Sequence, residues 1–285
     1  MKVSYRILIR PTTFQILPMQ DKQNPYIDIH HSVNKKKVLA EHARLEHAYE
    51  HTVTYTLSHP TDPLPDVVFT ANAGLCLPRL PHPMMLLPKM KYPQRQAELP
   101  YLTALYAELN LPMIPFPGPD PFEGQAELKW FHGGTKAVCG YGHRSTRQSF
   151  VVMKRLFERL YGRYHLAPPE LLVLPLASED YYHLDVAMLD YSDTDCIVHR
   201  RAFSPASLAR LRQFLGASHV HVLDTEDSFC LNAVVEGPKL ITHTLTTPLR
   251  AQLESITGKT IHEVDTKEFE KSGGSVRCMT LDVFS

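Results

Sequence analysis

Five stretches of the sequence place apolar residues at i, i+3, i+4 and i+7, the spacing that gives a helix one apolar face. Ser204-Pro205 and Thr247-Pro248 fit the start of the last two helices, and Gly216 and Gly258 fit their ends. The pattern predicts helices over about 35–51, 100–110, 147–162, 205–215 and 248–257.

A short β-branched or apolar run follows each predicted helix, and we predict that these runs are strands. They cover 53–57, 111–116, 171–175, 219–223 and 260–264. Each strand leads into a polar loop, and the five loops contain Asp66, Glu123, His183 with Asp185, Asn232, and Cys278. The helices recur about every 50 residues, a period typical of propellers and other repeat proteins.

Five βαβ-type repeats around one axis would bring these loops into a single central pocket. Periodicity alone leaves an open α/β sheet as the alternative, although neither GxGxxG nor GxxxxGK[ST] occurs to support nucleotide binding there. The hydrophobic content of 44% and the charged content of 21% indicate a globular chain with a substantial core.

The charge balance excludes a general binder of polyanions, because 30 basic and 30 acidic residues give a formal net charge of zero. The basic run 35–37 fits a solvated helix start better than a nucleic-acid site. The sequence contains no run of 18 apolar residues, and its first ten residues do not resemble a signal peptide. We therefore expect a cytoplasmic protein without a nucleic-acid or membrane partner.

The 5 cysteines are widely spaced and form no CxxC pair, which argues against a disulfide framework and a cysteine zinc site. His219 and His221 lie two apart on a predicted strand, but no further ligands stand at motif spacing. We expect neither a metal nor an organic cofactor.

Cys278 follows the glycine pair 273–274, which would allow the backbone to approach a ligand closely. Arg277 beside it would help to lower the pKa of the thiol, although a cysteine among apolar residues is more often a buried hydrophobe. His183 is the best candidate proton shuttle, and Asp185 would face the same side of an extended segment. Together these groups suggest covalent catalysis on a cationic, planar substrate held by carboxylates.

At these residues the sequence resembles the guanidino-group-modifying enzymes, the pentein superfamily. The resemblance rests on five segments in the family's order, each weak alone and specific together. They are P-D-x-x-F-x-x-N at 65–72, E-G at 123–124, G-x-R-S at 142–145, H-L-D at 183–185 and G-G-x-x-R-C-x-T at 273–280. The resemblance implies a five-bladed α/β propeller, and we expect residues 1–285 to form a single catalytic domain.

Within that superfamily the sequence most resembles the arginine dihydrolases, through F-T-A-N-A-G at 69–74, N-P-Y-I-D at 24–28 and P-x-R-x-x-E at 93–98. The resemblance implies that Cys278 is the nucleophile, that His183 is the general acid and base, and that Glu123 orients His183. It also implies a set of substrate-binding residues. These are Asp66, Asn72 and Asp185 at the guanidinium, Asn24, Arg95 and Arg144 at the α-amino-acid end, and Phe69.

Three points stay open in this interpretation. Arg147 is an alternative to Arg144 at the α-amino-acid end of the substrate. The family's common E-G-G-D is replaced here by E-G-Q-A-E at 123–127, so the role of Glu127 is undefined. The sequence also leaves the oligomeric state open, a homo-oligomer included.

The reaction that the resemblance implies is hydrolysis of arginine to ornithine, carbon dioxide and two ammonia. Deiminases have Asp where this chain has Asn72, and an amide both donates and accepts hydrogen bonds, so it can face either a guanidinium or the oxygen of a ureido group. The alternatives are that Asn72 only packs in a turn and that the enzyme is an arginine deiminase, a dimethylarginine dimethylaminohydrolase or an amidinotransferase. A catalytically silent pentein that serves as a binding module is a further alternative.

Overall fold

A computed structural model describes residues 1–57, 60 and 63–285, and within these residues fifteen strands form five sheets of three strands each. In chain order the strands are β1 (Val3–Ile9), β2 (Thr52–Tyr55), β3 (Leu75–Leu77), β4 (Met84–Leu87), β5 (Met113–Pro115), β6 (Leu128–Phe131), β7 (Lys136–Tyr141), β8 (Glu170–Pro175), β9 (Met188–Asp190), β10 (Cys196–His199), β11 (Val220–Leu223), β12 (Val234–Glu236), β13 (Lys239–Thr242), β14 (Thr260–Glu263) and β15 (Leu281–Phe284).

The α-helices are α1 (Lys35–Ala48), α2 (Pro93–Gln96), α3 (Leu99–Glu108), α4 (Arg147–Arg163), α5 (Leu184–Ala187), α6 (Pro205–Leu215), α7 (Thr247–Thr257) and α8 (Lys267–Glu270). Short 3₁₀ turns cover Pro18–Gln20, Thr70–Asn72, Gly124–Glu127, His132–Gly134, Glu179–Tyr181, Arg200–Ala202 and Ala217–His219.

The five sheets share one plan. Their strand orders are β15-β1-β2, β3-β4-β5, β6-β7-β8, β9-β10-β11 and β12-β13-β14. In every sheet the first pair is antiparallel and the second pair is parallel. The parallel strands are connected through the long helices α1, α3, α4, α6 and α7, because a parallel connection needs a crossover. The five-bladed α/β propeller is confirmed, and the open sheet is wrong.

The predicted helices agree with the structure to within a few residues, because their apolar spacing marks a face that the fold buries. In α4, for example, the side chains of Phe150, Met153, Phe157 and Leu160 are buried. Lysines 35–37 are exposed at the start of α1, where the side chain of Asn34 accepts from the backbone N–H groups of Lys36 and Lys37. Gly216 and Gly258 follow α6 and α7 with φ of 101° and 64°, angles that favour glycine.

The sequence pattern predicted one strand per repeat, whereas the structure has three. The missed strands include the innermost strand of each sheet, which has only three or four residues in β3, β6, β9, β12 and β15. Segments this short carry no measurable periodicity. The four-residue helices α2, α5 and α8 escaped prediction for the same reason.

The first sheet combines the two ends of the described chain, because β15 pairs with β1. This pairing places Asp282 near the centre of the ring, where its carboxylate accepts from Arg6 at 3.1 Å, from Arg277 at 2.7 Å and from Gln125 at 2.9 Å. The segment that carries Cys278 leads directly into β15, so closure of the ring also positions the candidate nucleophile. Within the described residues, no helix is long and apolar enough to cross a membrane.

Leu281 tests how much the fold depends on this closure, since its side chain is fully buried in β15 opposite Ile7 of β1. We expect Leu281→Ala to lower the free energy of unfolding by about 2–5 kcal/mol, because it leaves a cavity in the closing strand. Urea unfolding followed by circular dichroism measures this change. Val151→Ala on the exposed face of α4 is the control and should change it by less than about 0.5 kcal/mol. Equally small losses in the two variants would contradict the role given to β15.

Candidate active site

The loops between the sheets converge on a small cavity of about 20 Å³ at one end of the central axis. Eight of the ten residues predicted for the site line it, namely Asn24, Asp66, Phe69, Asn72, Arg95, Arg144, His183 and Cys278. The other two, Glu123 and Asp185, lie behind it and contact His183 and Cys278. None of the ten exposes more than 6% of its surface, so charges in this site act in a poorly hydrated environment.

Cys278 is held by the side-chain amide of Asn232. The Nδ2 of Asn232 donates to Sγ at 3.1 Å, and its Oδ1 accepts from the backbone N–H of Cys278 at 3.1 Å. Sγ also lies 3.6 Å from Oδ2 of Asp185. Burial raises the pKa of the thiol above its ordinary value and the carboxylate of Asp185 raises it further, so the free site favours the neutral thiol.

His183 and Glu123 form the second part of the site. Nε2 of His183 lies 2.8 Å from Oε2 of Glu123, and the same oxygen accepts from Nη1 of Arg144 at 2.9 Å. Burial lowers the pKa of His183, whereas the contact with Glu123 opposes that shift. Burial alone would raise the pKa of Glu123, but Arg144 and His183 hold it well below its usual range. Glu123 is therefore an ionised partner that can orient the imidazole.

Asn72 lies between the histidine and an arginine. Its Nδ2 is 3.3 Å from Nε2 of His183 and 3.4 Å from the backbone oxygen of Glu123, while its Oδ1 accepts from Nη1 of Arg95 at 3.1 Å. Asn72 does belong to the turn Thr70–Asn72, but its side chain reaches into the cavity. Asn72 therefore makes hydrogen bonds within the site as well as packing in a turn.

Asp66 and Arg95 have fixed partners on the other side of the cavity. Gln20 and Ser272 both donate to Oδ1 of Asp66, at 2.8 and 3.1 Å. Burial raises the pKa of Asp66 despite the opposing effects of Arg95 and of these two hydrogen bonds. Nε of Arg95 lies 2.7 Å from Oε1 of Glu98, and its Nη2 donates to the backbone oxygen of Phe69 at 3.3 Å.

Arg144, rather than Arg147, reaches the cavity. Nη2 of Arg144 donates to the backbone oxygen of Gln23 at 3.1 Å, and its guanidinium lies over the rings of Tyr92 and Tyr182 at 4.9 and 5.1 Å. Arg147 is the exposed first residue of α4.

Two local expectations were wrong, and the glycine pair has close neighbours within the chain itself. Arg277 donates to Asp282 at the axis, and the thiol pKa beside it is raised rather than lowered. Asp185 lies in the first turn of α5 rather than in an extended segment, and only His183 before it has extended backbone angles. The glycine pair accommodates the chain's own side chains, since a Cβ at Gly273 would lie 2.7 Å from Asn24 and one at Gly274 would lie 2.2 Å from Phe69.

The sequence interpretation gave no role to several residues that contact the site. For Asn232, the only indication in the sequence of a place in the site was its position in one of the five predicted loops. Glu127 is fully buried, accepts from the backbone N–H of Ser145 at 3.2 Å, and lies 3.9 Å from Nε2 of His183. Burial and the neighbouring Glu123 raise its pKa well above the usual range, so this carboxyl group is more easily protonated than an exposed one. Gln20, Gln23, Tyr182 and Ser272 complete the surroundings.

Among the described residues, no three or more His, Cys, Asp or Glu side chains are grouped so that they could hold a metal ion. His219 pairs instead with Asp195, at 2.8 Å from Nδ1 to Oδ1.

Solved structures with the same architecture show which fold the chain has. The N-terminal domain of ArgZ, covalently bound to a reaction intermediate, has a TM-score of 0.84 at 22% identity, over 99% of this chain and 98% of that one. A dimethylarginine dimethylaminohydrolase adduct with S-methyl-L-thiocitrulline has a TM-score of 0.72 at 16% identity, over 99% of this chain and 100% of that one. The chain has the pentein fold of these proteins.

Sequence comparison gives relatives of the same kind, although no protein-family model matches the chain. The bifunctional arginine dihydrolase/ornithine cyclodeaminase ArgZ of Synechocystis sp. is 26% identical over 263 residues, which are 91% of this chain and 35% of ArgZ. The N(G),N(G)-dimethylarginine dimethylaminohydrolase of Mycobacterium tuberculosis is 27% identical over 265 residues, 91% of this chain and 80% of that protein. The chain thus spans about a third of ArgZ. These relatives are members of the pentein superfamily, which confirms the resemblance seen in the sequence.

The contact between Cys278 and Asp185 predicts how the thiol titrates. Asp185→Asn removes a negative charge and an acceptor beside Sγ, so we expect the pKa of the Cys278 thiol to fall. The measurement is the rate of alkylation by iodoacetamide between about pH 7 and 10, followed by mass spectrometry of the peptide that contains Cys278.

The increase of the rate with pH, rather than the absolute rate, is compared between variants, since burial of Cys278 slows alkylation at every pH. Asp190→Asn is the control, because Asp190 pairs with Lys129 away from the thiol. An unchanged increase of the rate with pH in Asp185→Asn would show that this carboxylate does not govern the thiol.

Proposed function

We propose that the chain hydrolyses the guanidino group of arginine through a covalent adduct on Cys278, giving ornithine, carbon dioxide and two ammonia. The observation that carries the proposal is one buried cavity lined by Cys278, His183 and Asn72, with Glu123 bonded to His183 behind it. The relatives whose activities are named, an arginine dihydrolase and a dimethylarginine dimethylaminohydrolase, support this class of hydrolase.

Substrate binding supplies the charge that the site needs. Oδ1 of Asp185 is buried and has no hydrogen-bond partner within the described residues, so it can accept from a guanidinium N–H. Asp66 uses one oxygen for both Gln20 and Ser272, so its Oδ2 carries neither of these bonds. A bound cation between these carboxylates offsets the negative charge beside Sγ and favours the thiolate.

The substrate must displace part of the site to enter. A cavity of about 20 Å³ holds little more than one water, far less than an arginine side chain. On the segment that follows β1, Gln23 and Asn24 line the cavity, and Gln20 donates to Asp66. We infer that this segment moves when arginine binds and excludes water once it closes.

The first cycle gives citrulline. The thiolate attacks the central guanidinium carbon, and His183 donates a proton to the departing ammonia. A water then attacks the adduct while His183 accepts its proton, and the C–S bond breaks to restore the thiolate. Glu123 holds the imidazole through both transfers.

The second cycle acts on the ureido group. Attack by Cys278 on the ureido carbon expels a second ammonia and leaves a thiocarbamate, which water hydrolyses to the carbamate of ornithine. Loss of carbon dioxide from that carbamate gives ornithine. Asn72 supports this cycle because its amide can donate to the ureido oxygen, where a carboxylate would repel it.

The first test is a product assay. We expect purified chain incubated with arginine to give ornithine and ammonia in a ratio of one to two, without urea. Cys278→Ser should abolish product, whereas Cys230→Ser, at an equally buried cysteine outside the cavity, should keep it. Activity that survives Cys278→Ser would overturn the proposal.

The same assay distinguishes the alternatives. Citrulline with one ammonia would indicate a deiminase, and turnover of dimethylarginine alone would indicate the activity of the M. tuberculosis relative, which the chain matches over 80% of that protein's length. Product formed only with an added acceptor amine would indicate an amidinotransferase. Absence of every product would favour the binding-module alternative.

Residues from Val3 to Phe284 contribute to the five sheets, which supports the proposal that 1–285 acts as one catalytic domain. A cytoplasmic location and assembly into a homo-oligomer stay predictions.

Asn72 gives a test of the second cycle. We expect Asn72→Asp to retain conversion of arginine to citrulline while formation of ornithine falls by about tenfold or more, because a carboxylate then faces the ureido oxygen. Quantifying citrulline and ornithine over time measures the ratio. Asn110→Asp, at an exposed position beyond α3, is the control. Full conversion to ornithine by Asn72→Asp would refute the role of the amide.

A further inference from the structure

The imidazole of His243 lies between two carboxylates, outside the catalytic cavity. His243 directly follows β13, and only 8% of its surface is exposed. Its Nδ1 lies 3.1 Å from Oε1 of Glu270 in α8, and its Nε2 lies 3.1 Å from Oδ1 of Asp227 in the loop between β11 and β12. The Nδ1 contact is a hydrogen bond, whereas the Nε2 contact is an ion pair without hydrogen-bond geometry. One ring thus connects two separate segments of the chain.

Two carboxylates at one imidazole favour its protonated form. A neutral imidazole has one N–H, so one carboxylate would face a lone pair, whereas the imidazolium can donate from both nitrogens. Burial alone would lower the pKa of His243, but Asp227 and Glu270 raise it to about 9. The ring of Phe229, with its centroid 6.5 Å from that of the imidazole, adds no charge. These contacts favour a cation at His243 at neutral pH.

The Asp227 side of the ring leads to Asn232, the residue that holds Cys278. Oδ1 of Asp227 also accepts from the backbone N–H of Phe229 at 3.0 Å. The backbone oxygen of Phe229 in turn accepts from the N–H of Asn232 at 2.9 Å. The side chain of Asn232 then makes its two hydrogen bonds to Cys278. A continuous path of polar contacts therefore runs from His243 to the thiol.

The Glu270 side of the ring leads to the turn that carries Cys278. Oε1 of Glu270 accepts from Oγ1 of Thr266 at 2.7 Å, and that Oγ1 lies 2.8 Å from Oγ of Ser275. The backbone oxygen of Ser275 accepts from the N–H of Met279 at 3.2 Å, which closes the turn around Cys278. Thr266 and Ser275 expose at most 1% of their surface, so water cannot replace a contact that is lost there.

We propose that the imidazolium of His243 is a positioning group for the nucleophile. Its contact with Asp227 fixes the loop that carries Asn232. Its contact with Glu270 fixes the turn that carries Cys278. None of His243, Asp227 and Glu270 lines the catalytic cavity, so His243 acts through its neighbours rather than on the substrate. This inference rests on the proposed function only in taking Cys278 as the nucleophile.

The charge of the ring is measured directly by NMR titration of the histidine side chains. We expect the His243 signal, identified by its loss in His243→Gln, to titrate at about pH 9. Glu270→Gln removes one carboxylate and should lower this midpoint, and it identifies the signal if His243→Gln does not fold. A midpoint at or below about 6.5, the ordinary value for histidine, would overturn the proposal.

The positioning role is measured by alkylation of Cys278 with iodoacetamide at neutral pH. Cys139, which is fully buried in β7, is the internal reference. His243→Gln removes the positive charge and leaves only one donor group. We expect the ratio of the Cys278 rate to the Cys139 rate to rise by about tenfold or more, because the turn opens while the rest of the fold stays closed. General loosening of the fold would instead raise both rates together.

Thr266→Val is a second variant, in case His243→Gln does not fold. It removes the hydroxyl that bonds to Glu270 at nearly the same side-chain shape, and it should also raise the ratio. His219→Gln is the matched control, since His219 pairs with an aspartate, Asp195, yet lies outside both paths. This variant should leave the ratio unchanged.

Turnover separates this inference from the proposed function. If the chain hydrolyses arginine, His243→Gln should lower kcat by about tenfold and change KM by less than about twofold, because it affects the nucleophile rather than the binding residues. A chain without turnover would refute the proposed function, whereas the NMR and alkylation results would still decide the role of His243.

Circular dichroism of each variant verifies the fold. Besides a low imidazole midpoint, three results would overturn the inference: a ratio unchanged in folded His243→Gln and Thr266→Val, a rise of the same size in His219→Gln, or an unchanged kcat in folded His243→Gln.

Discussion

The pairing of β15 with β1 is the interaction on which the rest of the molecule depends. Each of the other four sheets is built from strands that follow one another along the chain, whereas the first sheet needs a strand from each end. That strand brings Asp282 to the axis, where Arg6, Arg277 and Gln125 meet its carboxylate. It also ends the segment that carries Cys278. The strand pairing that closes the ring therefore also positions the candidate nucleophile.

The electrostatics of the catalytic cavity follow from burial. Desolvation raises the pKa values of the Cys278 thiol and of Asp66 and Asp185, and lowers that of His183. Glu123 is the exception, since Arg144 and His183 keep it ionised. Because burial disfavours most charges in this site, a cationic ligand between its carboxylates would stabilise their ionised forms. The proposed reaction uses this property, because the substrate itself brings the charge that activates the thiol.

The axis of the propeller separates two environments. At one end the loops before the innermost strands hold Cys278, His183 and Asn72. At the other end a larger cavity is lined mainly by residues of the innermost strands and of β1. Arg277 precedes Cys278 along the chain, and its guanidinium donates to Asp282 between the two ends.

The sequence by itself determined the five long helices, the repeat and the residues that meet in the catalytic cavity. Helical periodicity can be read from a sequence because the apolar face of an amphipathic helix repeats over about three turns. The tertiary structure decided the short inner strands, the partner Asn232 of Cys278, the helical position of Asp185 and the direction of Arg277. These features depend on contacts between residues far apart in the chain, such as Asn232 with Cys278 and Arg6 with Asp282. Local patterns carry no information about such contacts, so only the closed ring could reveal them.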